Sequence, residues 1–390
     1  MAGVRLLTAG ESHGPALTGI LDGIPAGLPL DEAMLRRDLA RRQKGAGAGA
    51  RMEMERDAAK ILSGVMAGST TGAPIGLLIE NRDHANWKGK AVEPMTTPRP
   101  GHADLAAALK YGHDDFRKSL ERASARETAM RVAAGGVCRQ LLAEFGIRVG
   151  GYVASIGSIT APLDALSFEE RLARSQGTLT GCPDPVTATA MEEAIAAVQK
   201  VGETLGGVIE VVALGVPPGL GSYAQADRRL DSRLAAAVLG VQAMKGVEIG
   251  SAFENTRMAG TQVHDPIRKE GDRLVRPANR CGGIEGGMSN GEPVWLRAAM
   301  KPIPTTLKPQ PSVDALTGEQ APMKYERSDV CPVPRAVVVL ESVVALVLAN
   351  ALLEKLGGDS IAEMKPRFEK LRAARLSDLT MNGLPQVFWP

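Results

Sequence analysis

The chain has 390 residues, enough for one large domain or two to three ordinary ones, and its 46 Lys and Arg against 44 Asp and Glu leave it nearly neutral. That balance argues against a global nucleic-acid or membrane-surface role, and aromatics at 3% leave little for stacking on single-stranded nucleic acid. Cys138, Cys182, Cys281 and Cys331 lie far apart with no CxxC pair, so neither zinc nor a disulfide framework is indicated and a reducing cytoplasm is expected.

The opening residues lack the apolar run of a signal peptide. A short strand over 4–8 runs into GESHGP at 10–15, where flanking glycines permit sharp turns around Glu11-Ser12-His13. Either a plain turn histidine or a functional one fits that setting. Asp31 is placed to cap a helix reaching Gln43, with Leu35 and Leu39 as its apolar seam. From Arg36 to Arg51 six cations face only Asp38, and they lead into GAGAGA: a solvated face, or a loop that closes over an anion. GAPIGLLIEN gives a strand within a β region over 53–80, and Arg82 to Pro100 reads as a long irregular loop that delivers Arg99 and His102.

Arg99 to Val132 spends its large side chains on charge and uses mostly Ala as filler. Ser124-Ala-Arg-Glu127 has the spacing of a capping box, predicting a helix from Ser124 to about Phe145. Arg122 and Arg126 beside such a start form an anion seat, or merely decorate a capped surface helix. The small residues Ala129, Ala133, Ala134, Gly135 and Gly136 predict close approach of a neighbour and a central position. Strands follow at 147–160 and 206–216, with a helix at 185–201 between them, and residues 160–190 are the least informative. A helix is predicted over 228–245, ending at Lys245-Gly246. The glycine-dense 282–291 is neither GxGxxG after a strand nor a P-loop, and is either a ligand cradle or a multi-turn loop. A strand over 294–300 precedes Lys301-Pro-Ile-Pro-Thr305, and prolines around Asp329 lead to Arg335 and the apolar run 336–353. Interrupted by Glu341 and Asn350, that run reads as a buried helix rather than a membrane span.

Together GESHGP at 10–15, RPGHAD at 99–104, SARETAMRVAAG at 124–135, MKGVEIG at 244–250, GGIEGGMSNG at 282–291, KPIPT at 301–305 and RSDVCPVPRA at 327–336 resemble the chorismate synthase family. The resemblance implies an α+β fold: one domain over 1–390, a β-α-β sandwich of helices between antiparallel sheets, with a C-terminal tail from about 357. It implies a monofunctional lyase converting 5-enolpyruvylshikimate 3-phosphate to chorismate and phosphate by 1,4-anti elimination, the last common step of aromatic amino-acid biosynthesis by the shikimate pathway. Reduced FMN is the implied cofactor, with NADPH as an indirect reductant through an external flavin reductase. A cytoplasmic homotetramer without nucleic-acid or membrane partners is expected. The implied catalytic residues are His13, as donor to the departing phosphate, His102, beside reduced flavin, and Asp329, as a base working at flavin N5. Arg42, Arg99, Arg131 and Arg335, with Arg51, are the implied substrate cations. The implied flavin contacts are Arg122, Ala123, Ser124, Gln242, Ala243, Gly286, Lys301, Pro302, Ile303, Pro304, Thr305 and Arg327. His84, His113 and His264 match nothing in that pattern and are read as surface histidines. Ala46 and Ala48 depart from the family, which commonly carries an aromatic residue and an arginine in that loop, and Ala123 stands where serine is common. A flavin-dependent oxidoreductase and a non-catalytic anion binder are the competing classes.

Overall fold

The computed structural model describes residues 3–47, 57–326 and 328–389. Arg51, Ala48 and Arg327 therefore lie outside the described residues.

In chain order the elements that position the site are β1 (Arg5–Ala9), β2 (Ala16–Asp22), α1 (Glu32–Gln43), β3 (Ala59–Ile61) and β4 (Ile75–Glu80). Then come α2 (Asp104–Tyr111), α3 (Phe116–Ala123), α4 (Thr128–Ala143), β5 (Arg148–Ile156), β6 (Ile159–Thr160) and α5 (Pro185–Lys200). The chain continues through β7 (Gly207–Leu214), α6 (Leu230–Leu239), β8 (Met244–Ile249), β9 (Val294–Met300) and α7 (Val333–Leu356).

One antiparallel sheet has the order β1-β2-β4-β3, the other β8-β9-β7-β5-β6. Helices lie between them: α4 packs on the first sheet and on α7, while α7 packs on β5 and β7 of the second. This is an α+β sandwich. Alternation explains the sheet faces, since Leu17, Leu21, Ile75, Leu77 and Ile79 are buried toward the helices. The small residues of α4 have the predicted effect. A Cβ on Gly135 would stand 2.3 Å from Ser342 Cβ of α7, and one on Gly136 2.6 Å from Leu35 Cδ2 of α1. Beneath these contacts the buried Glu341 accepts both guanidinium nitrogens of Arg41 at 2.7 Å and the Gly151 N–H at 2.9 Å, tying α1, α7 and β5 together.

The Asp31 cap is present, accepting from Ala33 N–H at 2.8 Å. Two local expectations are corrected. Ser124 Oγ accepts from Arg126 N–H at 3.2 Å, and a 3₁₀ turn over Ala125–Glu127 precedes α4, so the Ser124–Glu127 capping box does not form. Glu127 instead turns toward Thr8 and Arg131, which offer a stronger partner than a backbone N–H. A reciprocal box does exist in the stretch that read as uninformative, between Ser167 and Glu170. The helix predicted over 228–245 stops at Leu239, and Met244–Ile249 is a strand because its backbone pairs with β9. α7 is long and apolar enough to cross a membrane, but 78% of its most apolar 18 residues is buried inside the fold. After Gly357 a helix over Ile361–Glu369 buries Ile361 and Met364.

Candidate functional site

Three clusters bring distant parts of the chain together. The first is built on Asp57, whose carboxylate receives Arg126 Nη1 at 2.6 Å and Arg42 Nη1 at 3.3 Å. Arg42 also donates to Thr128 Oγ1 and to the Ala125 carbonyl, each at 2.9 Å, so the end of α1 is fastened to the start of α4. Arg335 enters from the first turn of α7, paired with Asp329, and its Nε is buried without a hydrogen-bond partner among the described residues. Burial and the charge of Arg42 press the Arg335 guanidinium down to about 9, which still leaves it cationic at neutral pH. The glycines after α1 permit this packing. Gly47 has φ +80°, and a Cβ there would meet Cys331 N at 2.9 Å.

The second cluster is the GESHGP loop. Asn81 Nδ2 donates to the carbonyls of Glu11 at 3.1 Å and Gly14 at 2.8 Å, while its Oδ1 accepts Arg126 Nε at 2.9 Å, linking loop and arginine cluster. His13 Nδ1 lies 2.6 Å from Glu121 Oε1, and its ring is 4.1 Å from that of Trp87, centre to centre. Ser124 Oγ donates to Ser12 Oγ at 3.2 Å. His84 is no bystander: its Nδ1 donates to the His13 carbonyl at 3.0 Å.

The third cluster is built on Asp104, fully buried, which takes Arg99 Nε at 2.8 Å, Arg99 Nη2 at 2.9 Å and His102 Nδ1 at 2.6 Å. Burial pushes the Asp104 carboxyl up, but the hydrogen bonds from Arg99 and His102 outweigh it and hold it well below the usual carboxylate range. Arg99 Nη1 reaches Thr305 Oγ1 at 3.4 Å, and the Lys301 ammonium donates to the Gly101 carbonyl. Burial, then the charge of Lys245, lowers the Lys301 ammonium pKa. Between these residues, Ile303 gives its carbonyl to Thr204 Oγ1 at 2.8 Å, with Pro302 and Pro304 stiffening the segment.

Glu127 joins the GESHGP side to the Lys301 side. Its Oε1 accepts Thr8 Oγ1 at 2.7 Å, and its Oε2 accepts Gln242 Nε2 at 3.4 Å, while Arg122 Nη2 donates to the Thr8 carbonyl at 2.9 Å. Ala243, beside Gln242, has φ +68° and gives its carbonyl to Lys301 N–H at 3.0 Å. Of the residues singled out from sequence, Arg122, Ser124, Gln242, Ala243 and Lys301–Thr305 thus fall along one connected border between His13 and His102. Ala123 ends α3 within it. Two sit apart. Arg131 pairs with Glu127 at 2.9 Å and donates to the Gly240 carbonyl, on the wall of an open cavity with Val4, Leu6 and Arg233. Gly286 lies at the turn of a small hairpin whose Gly287 carbonyl accepts Leu230 N–H at the start of α6.

Sequence reasoning missed Asp57, Glu121, Asp104, Asn81 and Trp87. Asp104 had a signal, standing two residues after His102. Asp57, Asn81 and Glu121 had none, because their partners lie 15 to 108 residues away.

Along this border lie groups that could hold a cofactor: Gln242 Oε1 is a buried acceptor without a hydrogen-bond partner among the described residues, and Lys301 offers a cation beside it along the chain through Ala243. Comparison with known proteins agrees with the architecture. A family model described as chorismate synthase matches residues 4–353. Chorismate synthase of Pelobacter propionicus is 51% identical over 383 residues, covering 94% of this chain and 98% of the relative. That of Desulforamulus reducens is 53% identical over 378 residues, covering 94% and 98%. A solved structure described as a crystal structure of chorismate synthase superposes with a TM-score of 0.78 at 44% identity, covering 95% of this chain and 97% of the other.

Proposed function

The chain belongs to the chorismate synthase family, and from that premise we propose that it converts 5-enolpyruvylshikimate 3-phosphate to chorismate and phosphate by a 1,4-anti elimination with reduced FMN bound. The observation that carries this reading is the convergence of Arg42, Arg126 and Arg335 on one side of a connected border that also holds His13 and the Gln242–Lys301 segment. A substrate with two carboxylates and a phosphate needs several fixed cations, and guanidiniums already held in place lose little freedom on binding it.

Arg42 and Arg335 bind and orient the anionic substrate, with Arg335 Nε as a donor still to be satisfied. His13 gives a proton to the departing phosphate, and Asp329, steadied by Arg335, would be the base at flavin N5, the position that receives the C6 hydrogen. Arg122, Ser124, Gln242, Ala243, Lys301 and Thr305 would hold FMN, with His102 at its edge fixed by Asp104. When bound, reduced FMN supplies transient electron density and an acceptor for the C6 hydrogen. The elimination brings no net redox change, and with the 390 residues assigned to one domain without a nicotinamide-binding motif the enzyme is read as monofunctional and as taking reduced FMN from an external reductase, NADPH acting only through it. Cytoplasmic localisation and homotetrameric assembly belong to the same reading. The latter is supported by Leu7 and Ile20, cross-strand partners that leave an apolar pair exposed on the outer face of the first sheet.

The test is an anaerobic assay with 5-enolpyruvylshikimate 3-phosphate and reduced FMN, repeated with NADPH and oxidised FMN. Chorismate and phosphate are expected in the first alone, with the flavin reduced at the end. No chorismate in either overturns the assignment, and flavin left oxidised with a reduced organic product points to an oxidoreductase.

A further inference from the structure

We propose that Glu121 is a positioning residue for His13: it fixes the proton of the imidazole on Nδ1 and so directs proton transfer through Nε2. This rests on the reading of His13 as the donor to the departing phosphate.

Both oxygens of one carboxylate serve the same residue. Glu121 Oε2 accepts the His13 backbone N–H at 2.8 Å, and Oε1 lies 2.6 Å from His13 Nδ1. A backbone N–H can only donate. An ionised carboxylate can only accept, so the nitrogen facing it carries the hydrogen. The Glu121 carbonyl adds a third bond, accepting Ser12 N–H at 3.1 Å, so the end of α3 grips the loop through both its side chain and its main chain.

The surroundings leave the ring little rotational freedom. Trp87 packs against it, Arg117 lies 5.5 Å over the Trp87 ring, and His84 Nδ1 holds the His13 carbonyl. Among the described residues, Glu121 from α3, itself under the charge of Arg117, and Asp83 and His84 at the start of the short helix His84–Trp87 are the charged and titratable groups seen at His13. Asp83 Oδ2 stands 4.0 Å from Nε2. Burial raises the Glu121 carboxyl, but the His13 ring, the His13 N–H and then the Arg117 charge outweigh it, so the group stays ionised at neutral pH.

A glutamine at this position has a single acceptor oxygen for two donors. Either the His13 N–H then faces an amide NH₂, or Nδ1 must give up its hydrogen and accept, leaving a neutral ring with its hydrogen on Nε2. A neutral imidazole is a poor acid. Glu121→Asp keeps two acceptors and the charge but is one methylene shorter.

The experiment compares wild type, Glu121→Gln, Glu121→Asp and His13→Ala as full chains. It measures turnover of 5-enolpyruvylshikimate 3-phosphate with reduced FMN, FMN binding by absorbance, and ¹⁵N shifts of labelled histidines, with the His13 signals identified as those lost in His13→Ala. Wild-type His13 is expected to show Nδ1 protonated. Glu121→Gln should lose about 100-fold in kcat, change KM by less than about threefold, retain FMN binding and lose the Nδ1–H signature, with Glu121→Asp recovering part of both. Near-normal kcat in Glu121→Gln with FMN bound, or an unprotonated Nδ1 in wild type, overturns the proposal. If wild type makes no chorismate, the reading of the reaction fails, while the nitrogen shifts still decide whether Glu121 sets the proton.

Discussion

Asp57 contacts both Arg42 and Arg126, one with each of its carboxylate oxygens, and its side chain is fully buried. Removing its charge takes a shared carboxylate from two buried guanidiniums, with the Arg335 charge already close. Breaking a buried pair from one side costs about 3–5 kcal/mol, so Asp57→Asn is expected to lower the urea-unfolding free energy by about that amount, together with a rise in substrate KM. A loss under about 1 kcal/mol would show that water or Asn81 compensates. This scale also separates what residues announce from what they conceal. His13 stands out because glycines free it from packing duty, and Arg99 and His102 because a long loop ends on them. The carboxylates that hold them are ordinary acidic letters in a charged stretch, and only the distances of 2.6 Å from His13 to Glu121 and from His102 to Asp104 give them their roles.

At the level of elements, the apolar seam of Leu35 and Leu39 found α1, and the apolar run 336–353 found α7, which is buried on nearly every side. Helical reading failed at 240–245, where the predicted helix runs on past Leu239 although Met244 and Lys245 already belong to a strand for which β9 supplies a ladder of backbone partners worth more than local propensity. The small-residue face of α4 was legible, and its partner was not. Gly135 sits where an added Cβ would stand 2.6 Å from Ser342 Cα and 2.8 Å from its carbonyl oxygen, both backbone of α7. Gly135→Ala gains about 1 kcal/mol of helix propensity, against about 1–3 kcal/mol for overpacking. Because the obstruction is backbone, the second effect wins, and a lower Tm in thermal unfolding is expected. A higher Tm would mean that the helices part without cost.

For the molecule as a whole, Asp104, Glu121, Glu127 and Glu341 share one electrostatic logic: burial raises each carboxyl, and paired cations or hydrogen bonds bring it below its ordinary value. A carboxyl depressed in the fold stabilises it above the unfolded pKa, 3.8 for Asp and 4.5 for Glu, and that contribution is lost as pH falls through the folded value. Urea midpoints should therefore be insensitive to these groups from pH 7 to about 5 and fall steadily below it; a midpoint that rises on acidification in that lower range would contradict the pairing. The sequence by itself determined the family, the fold class and most of the elements, because motifs and periodicity are local properties of the chain. Only the tertiary structure decided that His13 from one end meets Glu121, that Arg335 from the other comes near Arg42, and that Glu127 and Ala243 connect Gln242 and Lys301 to that network. Those pairings depend on how two sheets close over α4 and α7, and no local pattern encodes which distant carboxylate will be the one to pair with a given cation.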